Sequence, residues 1–208
     1  NISVQKSRFG FDIIAPEINS LKIMGKLEAD FYYGLGIKSI PRLRHGFIKL
    51  DAGIVQVLVG HTWIIISQQS PNIYNFETLG ASGNLWARFP QLRITKEFNL
   101  SDQLGYLKLE AGILKQTNST IVGSPATQSG RFRYQGRLSF NTKLPGERES
   151  IIAVGYDNGK LQKTPEINCD AIVAELLIPV NSLTITCEFF TAINESSLAG
   201  SIGNSPTV

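Results

Sequence analysis

Charged and apolar side chains alternate along most of this chain. The clearest example is the segment 129–143, where basic residues alternate with aromatic and aliphatic ones: Arg131, Phe132, Arg133, Tyr134, Arg137, Leu138 and Phe140. Successive side chains of a β-strand point to opposite faces, so this segment predicts a strand with one basic face and one apolar face. A soluble β protein would bury the apolar face, whereas a membrane barrel would turn it towards lipid.

The same period of two recurs through the sequence and predicts about ten strands with no amphipathic helix. The predicted strands lie around residues 4–14, 21–33, 42–51, 54–66, 90–99, 103–115, 129–143, 150–157, 168–178 and 183–191. Charged and apolar residues keep to separate faces in most of them, but the phase of 42–51 is ambiguous. We therefore predict an all-β chain.

The connections between these segments alternate in length. Short turns rich in Gly, Pro, Asn or Ser lie at 16–20, 51–53, 99–103, 144–150 and 179–182. Longer loops lie at 34–42, 67–89, 116–130 and 157–166. Short turns at one end of a sheet and long loops at the other are typical of an antiparallel up-and-down transmembrane β-barrel. The alternative is a soluble or surface β-barrel whose basic face binds an acidic small ligand.

Aromatic residues near the ends of the predicted strands favour the membrane barrel. They are Phe31, Tyr33, Trp63, Trp86, Phe98, Tyr106, Phe140 and Tyr156. Rings at strand ends are typical of the girdles that lie at the lipid headgroups of membrane barrels. We expect these residues to form such a girdle.

Composition adds little to this picture. The 208 residues carry a formal charge of +3, with Lys and Arg mixed among Asp and Glu, so no nucleic-acid partner is expected. No apolar run approaches the length of a membrane-spanning helix, and no shift of composition divides the chain into two domains. Cys169 and Cys187 lie in neighbouring predicted strands, where a disulfide is one alternative and two half-buried thiols are the favoured one.

The sequence contains no catalytic or metal-binding constellation. Neither His45 nor His61 has a Cys or His at a metal-ligand spacing, and no Gly-x-Ser-x-Gly elbow accompanies the serines. We therefore predict no enzymatic activity, no metal and no cofactor.

Several stretches resemble a known family. They are "RLRHGFIKLDAGIVQVLVGHTW" (42–63), "GNLWARFPQLRIT" (83–95), "SRFGFDI" (7–13), "GKLEADFYYG" (25–34) and "LTITCEFF" (183–190). In this order along the chain they resemble the DcaP-like branch of Gram-negative outer-membrane porins. The sequence departs from the family's pattern at His61, where the family has Gln, and it does not end in the aromatic residue of a final barrel strand.

The resemblance implies a channel in the bacterial outer membrane through which small hydrophilic solutes, chiefly anionic, diffuse passively. It also implies a homotrimer in contact with outer-membrane lipid and lipopolysaccharide. If the short turns are periplasmic, both ends of the chain lie at the external face, whereas bacterial barrels begin and end in the periplasm. We therefore expect residues 1–208 to be a single porin-like β-barrel domain truncated at both ends, with about ten strands of a larger barrel.

The candidate site residues are the charges on the polar strand faces and a cluster in the longest loop. Because unpaired buried charge is costly, the charges of a membrane barrel face its water-filled lumen. We predict pore-lining roles for Lys22, Lys26, Glu28, Asp30, Arg93, Glu97, Lys108, Glu110, Arg131, Arg133, Arg137 and Glu188. We also predict that the loop 67–89 turns inward and sets the constriction with Tyr74, Phe76 and Glu77. An arginine-lined wall favours anions.

Overall fold

Ten antiparallel strands make up the described part of the chain. The computed structural model describes residues 7–33, 40–69, 85–101, 104–115, 131–143, 148–161, 166–195 and 198. The strands are β1 (Arg8–Ile14), β2 (Lys22–Tyr33), β3 (Ile40–Asp51), β4 (Gln56–Trp63), β5 (Arg88–Ser101), β6 (Gly105–Leu114), β7 (Arg133–Lys143), β8 (Glu149–Leu161), β9 (Ile167–Val180) and β10 (Leu183–Ile193). The described residues contain no helix long and apolar enough to cross a membrane.

Each strand pairs antiparallel with the next one along the chain, which gives a single sheet in the order β1 to β10. The predicted all-β, up-and-down topology is therefore confirmed. The tight turns contain residues with a positive φ, such as Gly53 at 76° and Asn181 at 52°, which explains why Gly and Asn occur there. Among the described residues β1 and β10 form the two edges, so these residues do not close the sheet.

Two predicted strand boundaries are wrong for physical reasons. The predicted strand 54–66 ends at Trp63, because the chain leaves the sheet at Ile64 and turns across one of its faces. The predicted strand 150–157 continues to Leu161, where a loop had been expected. Asp157 is buried in the sheet rather than solvated in a loop, because its carboxylate accepts a hydrogen bond of 2.7 Å from the Gln135 amide and also pairs with Arg133.

The sheet has a polar face, which we call the inner face because the segment after β4 lies on it, and an apolar outer face. Register places polar residues opposite one another in a continuous row across six strands: Lys22, Asp51, Gln56, Thr95, Glu110 and Arg137. Exposed apolar residues occupy the alternate positions and include Leu92, Ile94, Leu109, Leu138, Val154 and Ile172. In β7 Arg133 and Arg137 are buried and the intervening Tyr134 and Leu138 are exposed, as the alternation predicts.

A β-bulge explains the ambiguous phase of 42–51. His45 pairs with Glu28, but the next residue of β2, Ala29, pairs with Leu43, so Arg44 is the extra residue. A bulge shifts the alternation of a strand by one position. As a result, Lys49 points to the inner face, where its neighbours across β2 and β4 are Met24 and Leu58.

We expect a charge at the centre of the outer face to destabilise the protein in a bilayer. Ile94 is 50% exposed in the middle of β5. Ile94→Lys should lower the free energy of unfolding by about 2–4 kcal/mol after refolding into lipid vesicles, measured by urea titration. Leu104→Lys, at the turn between β5 and β6, is the matched control and should cost about 1 kcal/mol or less. A soluble barrel would instead tolerate Ile94→Lys to within about 0.5 kcal/mol.

Candidate functional site: the inner face and the inward connection

The segment after β4 crosses the inner face of the sheet. Ile64, Ile65 and Ile66 are fully buried and form an apolar cluster with Leu85, Phe89, Leu114, Ala171, Val173 and Leu198. Two wall glycines make room for this segment. A Cβ atom on Gly155 would lie 2.7 Å from the Ile66 carbonyl oxygen, and one on Gly112 would lie 2.6 Å from Cδ1 of Ile65. We call residues 64–69 and 85–87 the inward connection.

Polar wall residues bind the backbone of the inward connection. Oε1 of Glu175 accepts hydrogen bonds from the N–H groups of Gln68 at 2.8 Å and Gln69 at 2.9 Å. Glu188 accepts one from the Ser67 hydroxyl at 2.6 Å and one from the Leu85 N–H at 2.8 Å. Charge-assisted hydrogen bonds of this kind are stronger than neutral ones. These carboxylates therefore fix the connection on the wall.

One of these carboxylates, Glu175, belongs to a buried charge network. Arg137 lies between two acids, 2.8 Å from Glu175 and 3.4 Å from Glu110. Glu110 also lies 3.4 Å from Arg93 and 3.4 Å from Lys108. Removing one partner of a buried pair typically costs about 3–5 kcal/mol, because the remaining charge is left uncompensated. The network therefore fixes the geometry of β5, β6, β7 and β9 beneath the connection.

A second buried cluster joins the chain after β10 to the wall. The Arg133 guanidinium group contacts the carboxyl groups of both Asp157 and Glu195, and all three side chains are buried. The backbone N–H of Leu198 donates to the Glu195 carbonyl at 3.0 Å, and the Leu198 carbonyl accepts a hydrogen bond from the backbone N–H of Trp86 at 2.9 Å. Burial raises the pKa of Glu195 to about 9, with the Asp157 charge adding to the rise and the Arg133 charge opposing it.

A third group of charges lies on β1, β2 and β3. Asp30 accepts two hydrogen bonds from Arg42, at 3.0 and 2.7 Å, and one from Arg44 at 2.9 Å. Arg44 also donates to Glu28 at 2.6 Å, and Lys26 pairs with Asp12 at 3.0 Å. These charges neutralise one another.

An open cavity of about 430 Å³ lies between the inward connection and strands β2 to β6. Apolar and aromatic residues form much of its lining: Met24, Phe47, Leu58, Trp63, Ile64, Leu85 and Trp86. Its charged lining consists of Lys49, Arg93, Lys108 and Glu110, and its uncharged polar lining includes Gln56, Thr62, Ser67, Gln68, Gln69 and Thr95. The sequence analysis did not predict Lys49 as a site residue, because the bulge at Arg44 shifts the alternation of β3 and the face on which Lys49 lies could not be read from the pattern.

The structure brings most of the predicted pore-lining residues to one face. Register and alternation place the following on the inner face: Lys22, Lys26, Glu28, Asp30, Arg93, Glu97, Lys108, Glu110, Arg133, Arg137 and Glu188. Three of them, Arg93, Lys108 and Glu110, line the cavity. Arg133 and Arg137 are only 1% and 4% exposed. These two arginines therefore contact wall carboxylates and not the cavity, while a role in the pore for the other residues stays a prediction.

Arg131 differs from the prediction, and one group of predicted residues is not described by the structure. Arg131 precedes β7 instead of continuing its ladder, and its side chain is 62% exposed and pairs with Glu166 at 3.2 Å. Tyr74, Phe76 and Glu77 lie outside the described residues. The described ends of the predicted inward loop do lie on the inner face, at 67–69 and 85–87.

The prediction of an aromatic girdle is wrong for the two tryptophans. Trp63 and Trp86 line the cavity, with ring centroids 5.9 Å apart. They turn inward because the chain leaves the sheet at Trp63 and returns to it at Arg88. Tyr106 also lies on the inner face, opposite Asn141, and its hydroxyl donates to Glu149 at 2.6 Å. Phe98 and Tyr156 are exposed on the outer face.

The two cysteines are unpaired. Cys169 is buried and Cys187 is exposed, and they lie on opposite faces of the sheet. The favoured interpretation is therefore confirmed in that the thiols do not pair, but it is wrong in that neither thiol is half-buried. No group of three or more His, Cys, Asp or Glu residues that could hold a metal ion occurs in the described part of the chain.

An open up-and-down sheet with a charged inner face, an apolar outer face and an inward connection is similar to part of an outer-membrane barrel. The fold matches that of the outer-membrane channel DcaP of Acinetobacter baumannii with a TM-score of 0.70. The match covers 95% of this chain and 55% of the channel chain at 17% sequence identity. No family model and no curated protein matches the sequence.

The comparison confirms, at the level of the fold, the resemblance found in 42–63 and 83–95. It identifies a structural neighbour that is a channel and not an enzyme. The present chain spans about 55% of the length of that channel.

The packing of the inward connection against Gly155 gives a test of its position. Gly155→Ala should lower the free energy of unfolding by about 1–3 kcal/mol, because the added methyl group overlaps the Ile66 backbone. Gly136→Ala is the matched control, since the nearest atom to its new methyl group would be 3.9 Å away. Urea titration of both variants measures the difference. Equal stability of the two would show that the connection does not lie against Gly155.

The Glu195 cluster predicts a pH dependence of stability. The pKa of Glu195 is 4.5 in the unfolded chain and about 9 in the folded chain. At pH values between these two, folding is accompanied by the uptake of a proton. The free energy of unfolding should therefore fall as pH rises through this window, by up to about 1.4 kcal/mol per pH unit.

Glu195→Gln removes the titrating group while keeping its shape, so unfolding curves at pH 5.5, 7 and 8.5 should become less dependent on pH. Glu166→Gln is the control, because Glu166 is exposed and Arg131 lowers its pKa. If the free energy of unfolding of Glu195→Gln still fell with pH as steeply as that of the unchanged protein, Glu195 would not be the group responsible.

Proposed function

We propose that this chain forms part of the wall of an outer-membrane channel through which small hydrophilic solutes, chiefly anions, diffuse passively. The observation that carries the proposal is the inward connection. Wall carboxylates hold it on the inner face of a sheet similar to that of an outer-membrane channel, and an open cavity with both charged and apolar lining remains beside it.

The outer face supports a position in the bilayer. Its strands expose aliphatic and aromatic side chains along most of the sheet, among them Leu92, Ile94, Leu109, Ile113, Leu138, Ile152 and Val154. A contiguous apolar surface of this kind is typical of lipid contact in membrane barrels and is rare in soluble monomers. It argues against the alternative of a soluble barrel that binds an acidic ligand.

The charge of the cavity supports a preference for anions. Its described lining contains three cations, Lys49, Arg93 and Lys108, against one carboxylate, Glu110, which gives a formal excess of two positive charges. Fixed positive charge in a narrow water-filled passage favours anions over cations. The buried arginines of β7 do not add to this excess, because carboxylates neutralise them.

The proposal also includes two further expectations from the sequence, the inward loop and the homotrimer. The loop 67–89 narrows the passage, and the anchoring of both its described ends supports this. The resemblance to the DcaP-like porins supports a homotrimer in outer-membrane lipid and lipopolysaccharide.

The function is tested in planar lipid bilayers. The purified protein should give discrete conductance steps, and its reversal potential in a KCl gradient should indicate a preference for chloride. Lys108→Gln should reduce this preference because it removes a cavity charge, whereas Lys96→Gln, on the outer face of the neighbouring strand, should leave it unchanged. Absence of conductance would overturn the proposed channel, and equal effects of the two variants would overturn the role of the cavity.

A further inference from the structure

The cavity beside the inward connection has the composition of a binding site for an amphiphilic anion. We propose that it retains monocarboxylates with an apolar body, with the Lys49 ammonium group binding the carboxylate and Trp63 and Trp86 contacting the apolar part. The proposal rests on the proposed channel function, since it describes a site within the passage. It names a particular class of anion, one whose carboxylate is joined to an apolar body.

Lys49 is the cation that is available to a ligand. It has no ion-pair or hydrogen-bond partner within the part of the chain that the structure describes, although it lines the cavity. Its neighbours across the two adjacent strands are apolar, Met24 and Leu58. The nearest acid along the same strand face, Asp51, instead accepts hydrogen bonds from the Gly53 N–H at 2.9 Å and the Gln56 amide at 3.1 Å.

The other two cations of the lining are already engaged. Arg93 donates to the Trp63 carbonyl at 2.6 Å and to the Gln91 amide oxygen at 3.0 Å, and it lies 3.4 Å from Glu110. Lys108 shares the same Glu110 at 3.4 Å. Among the described lining residues, one ammonium group, that of Lys49, is therefore left without a partner, which matches a single carboxylate.

The remaining wall is suited to the apolar part of such a solute. Trp63 and Trp86 lie side by side, and the guanidinium carbon of Arg88 is 4.3 Å from the centre of the Trp63 ring, which fixes that ring in place. Met24, Phe47 and Leu58 complete the apolar lining. Small-molecule sites of about 300–1,000 Å³ are typically apolar with a few placed polar groups, and this cavity of about 430 Å³ fits that description.

The two tryptophans provide a direct readout of binding. They are the only tryptophans of the sequence and both line the cavity, so ligand binding there should change the intrinsic fluorescence. Hexanoate, acetate and succinate do not absorb in the tryptophan region and are the probes. Titrated into the detergent-purified protein at constant ionic strength, hexanoate should change the fluorescence at a lower concentration than either acetate or succinate.

Variants of Lys49 test the role of its charge. Lys49→Gln should weaken hexanoate binding about tenfold, the effect of losing one charge-assisted hydrogen bond, whereas Lys49→Arg should retain most of it. Lys49→Met, which matches the apolar neighbours of this position, is a second neutral variant should the glutamine variant not fold. Lys22→Gln is the control, because Lys22 is exposed on the same face but does not line the cavity.

The outcomes separate this proposal from the proposed function. A channel that conducts in bilayers but whose fluorescence responds equally to hexanoate and acetate keeps its function and loses this site. Tighter binding of succinate than of hexanoate would overturn the monocarboxylate class. If Lys22→Gln and Lys49→Gln weakened hexanoate binding equally, the ligand would be responding to the overall electrostatic field of the inner face and not to a site at Lys49. Absence of conductance with selective hexanoate binding would overturn the channel and leave the site in place.

Discussion

The structure depends on the requirement that every charge taken out of water has a partner. On the inner face, Arg137 lies between Glu110 and Glu175, and the remaining lone pairs of these carboxylates accept hydrogen bonds from Gln68 and the backbone beside it. The wall charges thus neutralise one another and satisfy the polar groups of the inward connection at the same time. Without the connection the same carboxylates would lose those donors, so wall and connection stabilise each other.

This requirement divides the inner face into two regions. Over β6 to β10 the connection, the apolar cluster and the segment around Glu195 cover the wall, and its arginines are paired. Over β2 to β6 the face remains open at the cavity, which Lys49, Arg93 and Lys108 line. The difference fits the chemistry of the two side chains, because the planar guanidinium group forms several directed hydrogen bonds in a fixed lattice, whereas the ammonium group is a compact mobile charge. Here Arg93 and Arg137 are fixed by hydrogen bonds to carboxylates and backbone, whereas Lys49 has no partner among the described residues.

The topology and the two faces of the sheet could be predicted from the sequence, because the pleat imposes a period of two and the turn residues mark its breaks. The bulge at Arg44 could not be predicted. An extra residue in one strand is determined by how that strand pairs with its neighbour, and not by the strand's own pattern of apolar and polar residues. The inward turn at Ile64 could not be predicted for a related reason. A run of isoleucines is equally typical of a buried strand and of a segment packed across a sheet, and only the space left by Gly112 and Gly155 decides between them.

One carboxylate holds both ends of the inward connection, because Glu188 binds Ser67 on one side and Leu85 on the other. The chain between them is thereby closed into a loop whose ends are fixed by the wall and not by the loop's own sequence. The entropy of closing such a loop grows only with the logarithm of its length, so doubling the length costs about 0.6 kcal/mol. Insertions and deletions between the two anchors are therefore inexpensive in stability. The length of this loop can therefore change without rebuilding the sheet.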